Sequence, residues 1–109
     1  MYVNITGKDF APKDHICDHV ERRLRFALGR AVGCVEGVSV ALFNGRGGLD
    51  TSCNIRVRMS ADSDIEIEQT DPKIYPAIDR AIERAGRAVR RAIQVSLTEQ
   101  GAGWARTRG

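Results

Sequence analysis

From about Asp50 to Met59 the chain alternates between apolar and polar side chains, and this alternation constrains the fold more than any other feature. The apolar positions are Cys53, Ile55, Val57 and Met59. A period of two places them on one face of a β-strand. A strand with one apolar and one polar face is typical of a sheet that is covered on one side only.

Three other short stretches alternate in the same way and predict three more strands. They are residues 2–6, residues 38–43 and the stretch around Ile65 and Ile67. The glycine-rich residues 44–48 suit a hairpin loop between two of these strands. Outward charges that could pair across two antiparallel strands, and so set their register, are Arg56, Arg58, Glu66 and Glu68.

Two longer stretches follow the helical period and predict amphipathic helices. The first runs from about Lys13 to about Gly29–Ala31, and the second starts after the capping signal at 70–72 and weakens after Ser96. Pro76 requires either an irregular first turn or a helix that begins only near Pro76. The apolar faces comprise Ile16, Val20, Leu24, Ala27 and Ala31 in the first helix, and Ile78, Ala81, Ile82, Ala85, Val89, Ala92 and Ile93 in the second.

These elements predict an α+β fold in the order β-α-β-β-β-α, with a four-stranded mixed sheet and two helices packed on one face. The simplest arrangement is a right-handed βαβ unit followed by an antiparallel meander. A length of 109 residues allows one domain. We expect that domain to cover residues 1–97, with residues 98–109 as a flexible tail.

The charge is mildly basic and rich in arginine. The net charge is +3, and of the 17 basic residues only Lys8, Lys13 and Lys73 are lysines. Arginine suits bidentate contacts to phosphate and stacking on bases, so the bias fits RNA binding. It fits equally well a GC-rich genome, in which arginine codons are common.

The arginines concentrate on the polar faces of the two helices. On the second helix, Arg80, Arg84, Arg87 and Arg91 fall within an arc of about 60°. If both helices cover the same side of the sheet, the two basic faces form one surface. Such a surface suits a phosphate backbone, although solvated helix faces are an alternative. Phe26 lies among the basic residues of the first helix, where it could stack on a base or rest against the tail.

No arrangement of residues predicts catalysis, a cofactor or a metal site, and we expect no enzyme and no small-molecule substrate. His15 and His19 supply only two potential metal ligands. The three cysteines lack the spacing of a zinc site or a disulfide framework. The N-terminus resembles no targeting segment and no long apolar run follows, so we expect a cytoplasmic protein without membrane contact.

Three stretches resemble one known family. They are residues 3–7 (VNITG), residues 44–57 (NGRGGLDTSCNIRV) and residues 74–81 (IYPAIDRA). Together they are similar, in order and over residues 2–95, to the ribosome hibernation-promoting factor family, also called the ribosome-associated inhibitor or sigma-54 modulation family. Pro76 and the predominance of arginine over lysine depart from the family's usual pattern. Because the chain ends at Gly109, we expect a short member that lacks the additional C-terminal domain which pairs two ribosomes.

The resemblance implies the same fold and a translation inhibitor that binds the RNA of the small ribosomal subunit in the messenger and transfer RNA channel. The RNA-binding residues that it implies are Arg22, Arg23, Arg30, Arg80, Arg84, Arg87, Arg90 and Arg91. We expect a monomer away from the ribosome. Two alternatives stay open: a module for another structured or double-stranded RNA, and a regulator that binds a protein partner through the open face of the sheet. Candidate residues for that face are Tyr2, Phe43, Arg56 and Arg58.

Overall fold

The computed structural model describes residues 1–8, 11–45, 49–60 and 63–108, with side chains up to residue 95. Its elements are β1 (Tyr2–Gly7), α1 (Asp14–Leu28), a 3-10 helix (Gly29–Cys34), β2 (Val35–Asn44), β3 (Thr51–Met59), β4 (Asp64–Asp71) and α2 (Ile74–Arg108). The predicted order of strands and helices is therefore confirmed. The helical path of α1 ends at Gly29, whose φ of 52° lies in the region that favours glycine.

The four strands form one mixed sheet in the order β1-β2-β3-β4. Strand β1 runs parallel to β2, while β2, β3 and β4 are joined by antiparallel pairing. Val40 lies opposite both Ile5 and Ile55, and Ile55 lies opposite Ile67. This register places the apolar positions of all four strands on the same face, as their alternation predicts.

Both helices cover that apolar face, since they contribute to one core and contact each other. From α1 the buried residues are Ile16, Val20, Leu24 and Leu28, and from α2 they are Ala77, Ile78, Ala81, Ile82, Ala85 and Val89. Burying each large aliphatic side chain contributes about 1.5–3 kcal/mol relative to exposure. The predicted packing of two helices on one side of the sheet is confirmed.

The other face of the sheet is polar and open. Arg56 and Glu66 lie directly opposite each other and form an ion pair of 3.2 Å, as predicted. Asn54 donates a hydrogen bond to the other carboxylate oxygen at 3.1 Å, and these two contacts lower the pKa of Glu66. Glu68 lies opposite Asn54 rather than an arginine.

Helix α2 begins at Ile74, two residues before Pro76 and shortly after the predicted capping signal. Pro76 is the third residue of the helix, where a backbone N–H would have no acceptor within the helix in any case. Before it, the Asp71 side chain accepts a hydrogen bond from the backbone N–H of Lys73 at 3.2 Å. The acid of the predicted capping signal therefore does organise the helix start.

Several predictions fall outside the described residues. These include residues 46–48 of the predicted hairpin loop. The backbone of α2 continues to Arg108, but the side chains beyond residue 95 are not among those described. The flexibility of residues 98–109 stays a prediction.

Candidate functional site

The structure brings the eight arginines of the predicted RNA-binding surface onto the two neighbouring helices and the 3-10 helix that follows α1. All of them are exposed except Arg23, which is half-buried. They differ in what their guanidinium groups contact. One group is held by partners within the protein, and the other forms no hydrogen bond or ion pair with the residues described.

Arg23 belongs to a cluster of charged side chains between the helices. Nε2 of His19 lies 2.7 Å from Oδ1 of Asp79, and Nε of Arg23 lies 3.4 Å from the same oxygen. Nη2 of Arg23 is 3.8 Å from a carboxylate oxygen of Glu83. Tyr75 packs its ring edge to face against His19, with the ring centres 4.9 Å apart. The positive charge of Arg23 is thus largely offset by acids of α2, and this side chain joins the two helices.

The pairing between helices went unpredicted, although the sequence carries a signal for it. His19 and Arg23 are four residues apart on α1, and Asp79 and Glu83 are four residues apart on α2. Residues with this spacing lie on one face of a helix. Glu83 also lies four residues before Arg87 on its own helix, yet the structure pairs Glu83 with Arg23 across the interface.

Arg80 and Arg84 reach from α2 toward β4. Nη1 of Arg84 donates hydrogen bonds to the backbone carbonyl of Glu68 at 2.8 Å and to the side-chain oxygen of Gln69 at 2.9 Å. Nη1 of Arg80 lies 3.3 Å from the carboxylate of Asp71. Both guanidinium groups therefore connect the helix to the end of the sheet, while much of each side chain faces solvent.

Arg90 holds the far end of α1. Its Nη1 atom donates a 2.7 Å hydrogen bond to the backbone carbonyl of Ala27. The last carbonyls of an α-helix lack an N–H donor within the helix. A cationic side chain that donates to one of them is therefore favourable. The two helices approach closely at the same place, because a Cβ atom at Gly86 would lie 3.1 Å from the Ala27 carbonyl oxygen.

The remaining predicted residues are exposed arginines that form neither ion pairs nor hydrogen bonds with the described residues. They are Arg22, Arg30, Arg87 and Arg91. Because their donors are turned to water, these side chains are available to an external anion without breaking a contact in the protein.

A groove runs between α1 and α2 on the side away from the sheet. It is lined by Arg23, Phe26, Ala27, Ile82, Glu83, Arg87 and Arg90. The Phe26 side chain is 83% exposed, which is unusual for a phenylalanine. An aromatic ring flanked by guanidinium groups offers both a flat apolar surface and positive charge.

Other candidates for chemistry have ordinary structural explanations. Cys53 lies in the core, where burial raises the pKa of its thiol to about 12. Burial and the carboxylates of Asp14, Asp18 and Glu21 raise the pKa of Cys17. The described residues contain no cluster of three or more potential metal ligands. Among them, too, no helix has the length and apolar character needed to cross a membrane.

Several solved structures resemble this fold. A ribosomal subunit interface protein from Coxiella burnetii matches with a TM-score of 0.78 over 86% of this chain and 99% of that chain, at 12% identity. At that identity the likeness shows the fold alone. The N-terminal domain of Protein Y from Thermus thermophilus matches with a TM-score of 0.67 over 83% of this chain and 93% of that domain, at 27% identity.

A search of curated proteins gave no significant match. The family described as "Sigma 54 modulation protein / S30EA ribosomal protein" matches residues 3–94. This match spans most of the chain and contains all of α1, β2, β3 and β4, β1 from its second residue onward, and α2 up to residue 94. The chain therefore belongs to the Sigma 54 modulation protein / S30EA ribosomal protein family.

Proposed function

We propose that this protein is a ribosome-associated translation inhibitor. It binds the RNA of the small ribosomal subunit, in the channel that messenger and transfer RNA occupy, and holds idle ribosomes inactive. Membership of a family described as a ribosomal protein supports the association with ribosomes. We further propose that it acts in the cytoplasm, as a monomer before binding, and without enzymatic activity.

The observation that carries the proposal is the set of exposed, unpaired arginines on the helices. Arg22, Arg30, Arg87 and Arg91 have no acids of their own within ion-pair distance among the described side chains. Like charges without partners repel one another where they are close, as at Arg87 and Arg91 on successive turns of α2, so they favour a polyanionic partner that offsets the repulsion. Contacts of this kind neutralise phosphates and release counterions, which makes binding sensitive to salt.

The arginines also differ in whether they contact other elements of the protein. Arg23 and Arg90 connect α1 to α2, and Arg84 connects α2 to β4. Substituting these three would disturb the protein as well as the surface. Arg87 and Arg91 are better targets, because their removal breaks no described contact.

The test is sedimentation with purified small ribosomal subunits through a sucrose gradient at low and high salt. We expect the unmodified protein to migrate with the subunit at low salt and to dissociate at high salt. Arg87→Glu/Arg91→Glu should lose most binding and show a shallower salt dependence, by about one unit of slope for each lost phosphate contact. Lys8→Glu/Arg58→Glu makes the same change in net charge at exposed positions outside the helices, directly after β1 and in β3, and should bind normally.

Equal loss of binding in the two double variants would mean that net charge, and not this surface, controls association. Undiminished binding of Arg87→Glu/Arg91→Glu would eliminate the helix surface. If the protein prefers naked duplex RNA to intact subunits, the alternative of another structured RNA replaces the ribosomal proposal.

A further inference from the structure

Phe26 occupies a position that packing among the described side chains does not explain. Its side chain is 83% exposed on α1, at the mouth of the groove between the helices. The neighbouring positions Leu24 and Leu28 are buried in the core, so α1 needs no apolar contribution from Phe26. The described part of the structure thus presents a large flat ring to solvent.

The groove beside this ring combines a small apolar floor with positive charge. Ala27 and Ile82 line its base, and the exposed side chains of Arg87 and Arg90 line its rim on α2. Arg90 is fixed in place because Nη1 donates to the Ala27 carbonyl at 2.7 Å. Its other guanidinium donors form no hydrogen bond with the residues described.

The groove contains one acid, and that acid is already paired. The Glu83 carboxylate lies 3.8 Å from Nη2 of Arg23, which partly balances its charge. An incoming phosphate at Arg87 and Arg90 therefore meets a net positive site. The aromatic ring can stack on the face of a base, and the arginines can bind the phosphate. The groove thus matches both parts of a nucleotide.

We propose that this groove binds one unpaired nucleotide of RNA, with its base stacked on Phe26 and its phosphate at Arg87 and Arg90. The inference rests on the proposed function in that the nucleotide would belong to ribosomal RNA. It adds a distinct claim, because a base inside a duplex is stacked on both faces and cannot present one of them to Phe26. The groove therefore selects single-stranded over double-stranded RNA.

The direct test measures fluorescence anisotropy of a labelled uridine hexamer and of a labelled RNA duplex at low salt. Base stacking on an aromatic side chain is worth about 1–3 kcal/mol, so Phe26→Ala should weaken hexamer binding about tenfold. Phe26→Tyr keeps the ring and should retain affinity. Tyr2→Ala removes another exposed aromatic side chain, on a strand, and should have no effect.

Two measurements keep this inference separate from the proposed function. Thermal unfolding should show Phe26→Ala to be as stable as the unmodified protein, because the side chain is exposed. Gradient sedimentation with small subunits tests the function independently. Hexamer affinity unchanged in Phe26→Ala would overturn the nucleotide site even if the protein binds subunits. Loss of hexamer binding in Phe26→Ala without any binding of subunits would support the site and reject the ribosomal function.

Discussion

Nε2 of His19 lies 2.7 Å from Oδ1 of Asp79, and this contact joins the middle of α1 to the second turn of α2. The same oxygen is 3.4 Å from Nε of Arg23. One carboxylate therefore holds two side chains of the opposite helix. Arg23 depends on it, because its Nε atom is buried and forms no well-aligned hydrogen bond with the described residues.

Asp79→Ala should lower the free energy of unfolding by about 1–2 kcal/mol, since it removes the acceptor and leaves Arg23 without its closest acid. Urea unfolding measures this loss. A double-mutant cycle with His19→Ala should give a coupling energy of about 0.5–1 kcal/mol. Asp18→Ala, at an exposed acid of α1, is the control and should change stability little. Additive effects of the His19 and Asp79 substitutions would contradict the contact.

Arginines that hold the fold should differ in stability effects from arginines that only face solvent. Arg90→Ala should destabilise the protein by about 1 kcal/mol, because the Ala27 carbonyl at the end of α1 loses its donor. Arg87→Ala, at an exposed position one helical turn away, should stay within about 0.5 kcal/mol. Thermal or urea unfolding of the two variants at equal ionic strength makes the comparison. Equal losses would show that the Arg90 hydrogen bond contributes nothing.

Gly86 should tolerate no large side chain, because the helices meet there. A Cβ atom at this position would lie 3.1 Å from the Ala27 carbonyl oxygen and 3.3 Å from the Ala27 Cβ atom. Gly86→Leu should therefore cost about 1–3 kcal/mol through overpacking, despite the better helix propensity of leucine. Arg87→Leu places leucine on the exposed side of the same turn and should not reproduce the loss. A Gly86→Leu variant as stable as the unmodified protein would refute the close approach.

The Cys53 thiol should make stability fall at alkaline pH. Burial raises its pKa from 9.0 to about 12, so the unfolded chain loses this proton first as the pH rises. Stability from this group is complete below pH 9.0 and is lost as the pH approaches about 12, with a limiting slope of about 1.4 kcal/mol per pH unit. Urea unfolding between these limits should show a shallower decline for Cys53→Ala. Equal slopes for the two proteins would contradict the buried thiol.

The sheet was predictable because its information is local. Alternation in β3 assigns Cys53 and Ile55 to the core without reference to any other strand, and the outward charges of Arg56, Arg58, Glu66 and Glu68 indicate that β3 and β4 pair. Both observations need only the period of a strand. The end of α1 was less predictable, because Gly29 begins a 3-10 helix that carries Ala31 beyond the regular helix.

For the candidate site, the sequence predicted only which helix faces carry the arginines. The helical period places the arginines on the outer faces, but it cannot tell which of them meet a partner from another element. Glu83 illustrates the difference, since it pairs with Arg23 at 3.8 Å across the interface and leaves Arg87 free. Whether Glu83 pairs with Arg23 or with Arg87 depends on how the two helices pack. Long-range contacts at positions such as Gly86 determine that packing.

The hydrogen bond from Arg84 to the Glu68 carbonyl also bears on how the protein avoids aggregation. Strand β4 is the last strand of the sheet, and an edge strand presents backbone groups on which another chain can assemble. Arg84 holds a positive charge 2.8 Å from that backbone. If the β4 edges of two molecules met, each molecule would bring its own Arg84 to the contact. Repulsion between the two charges would oppose a continuous intermolecular sheet.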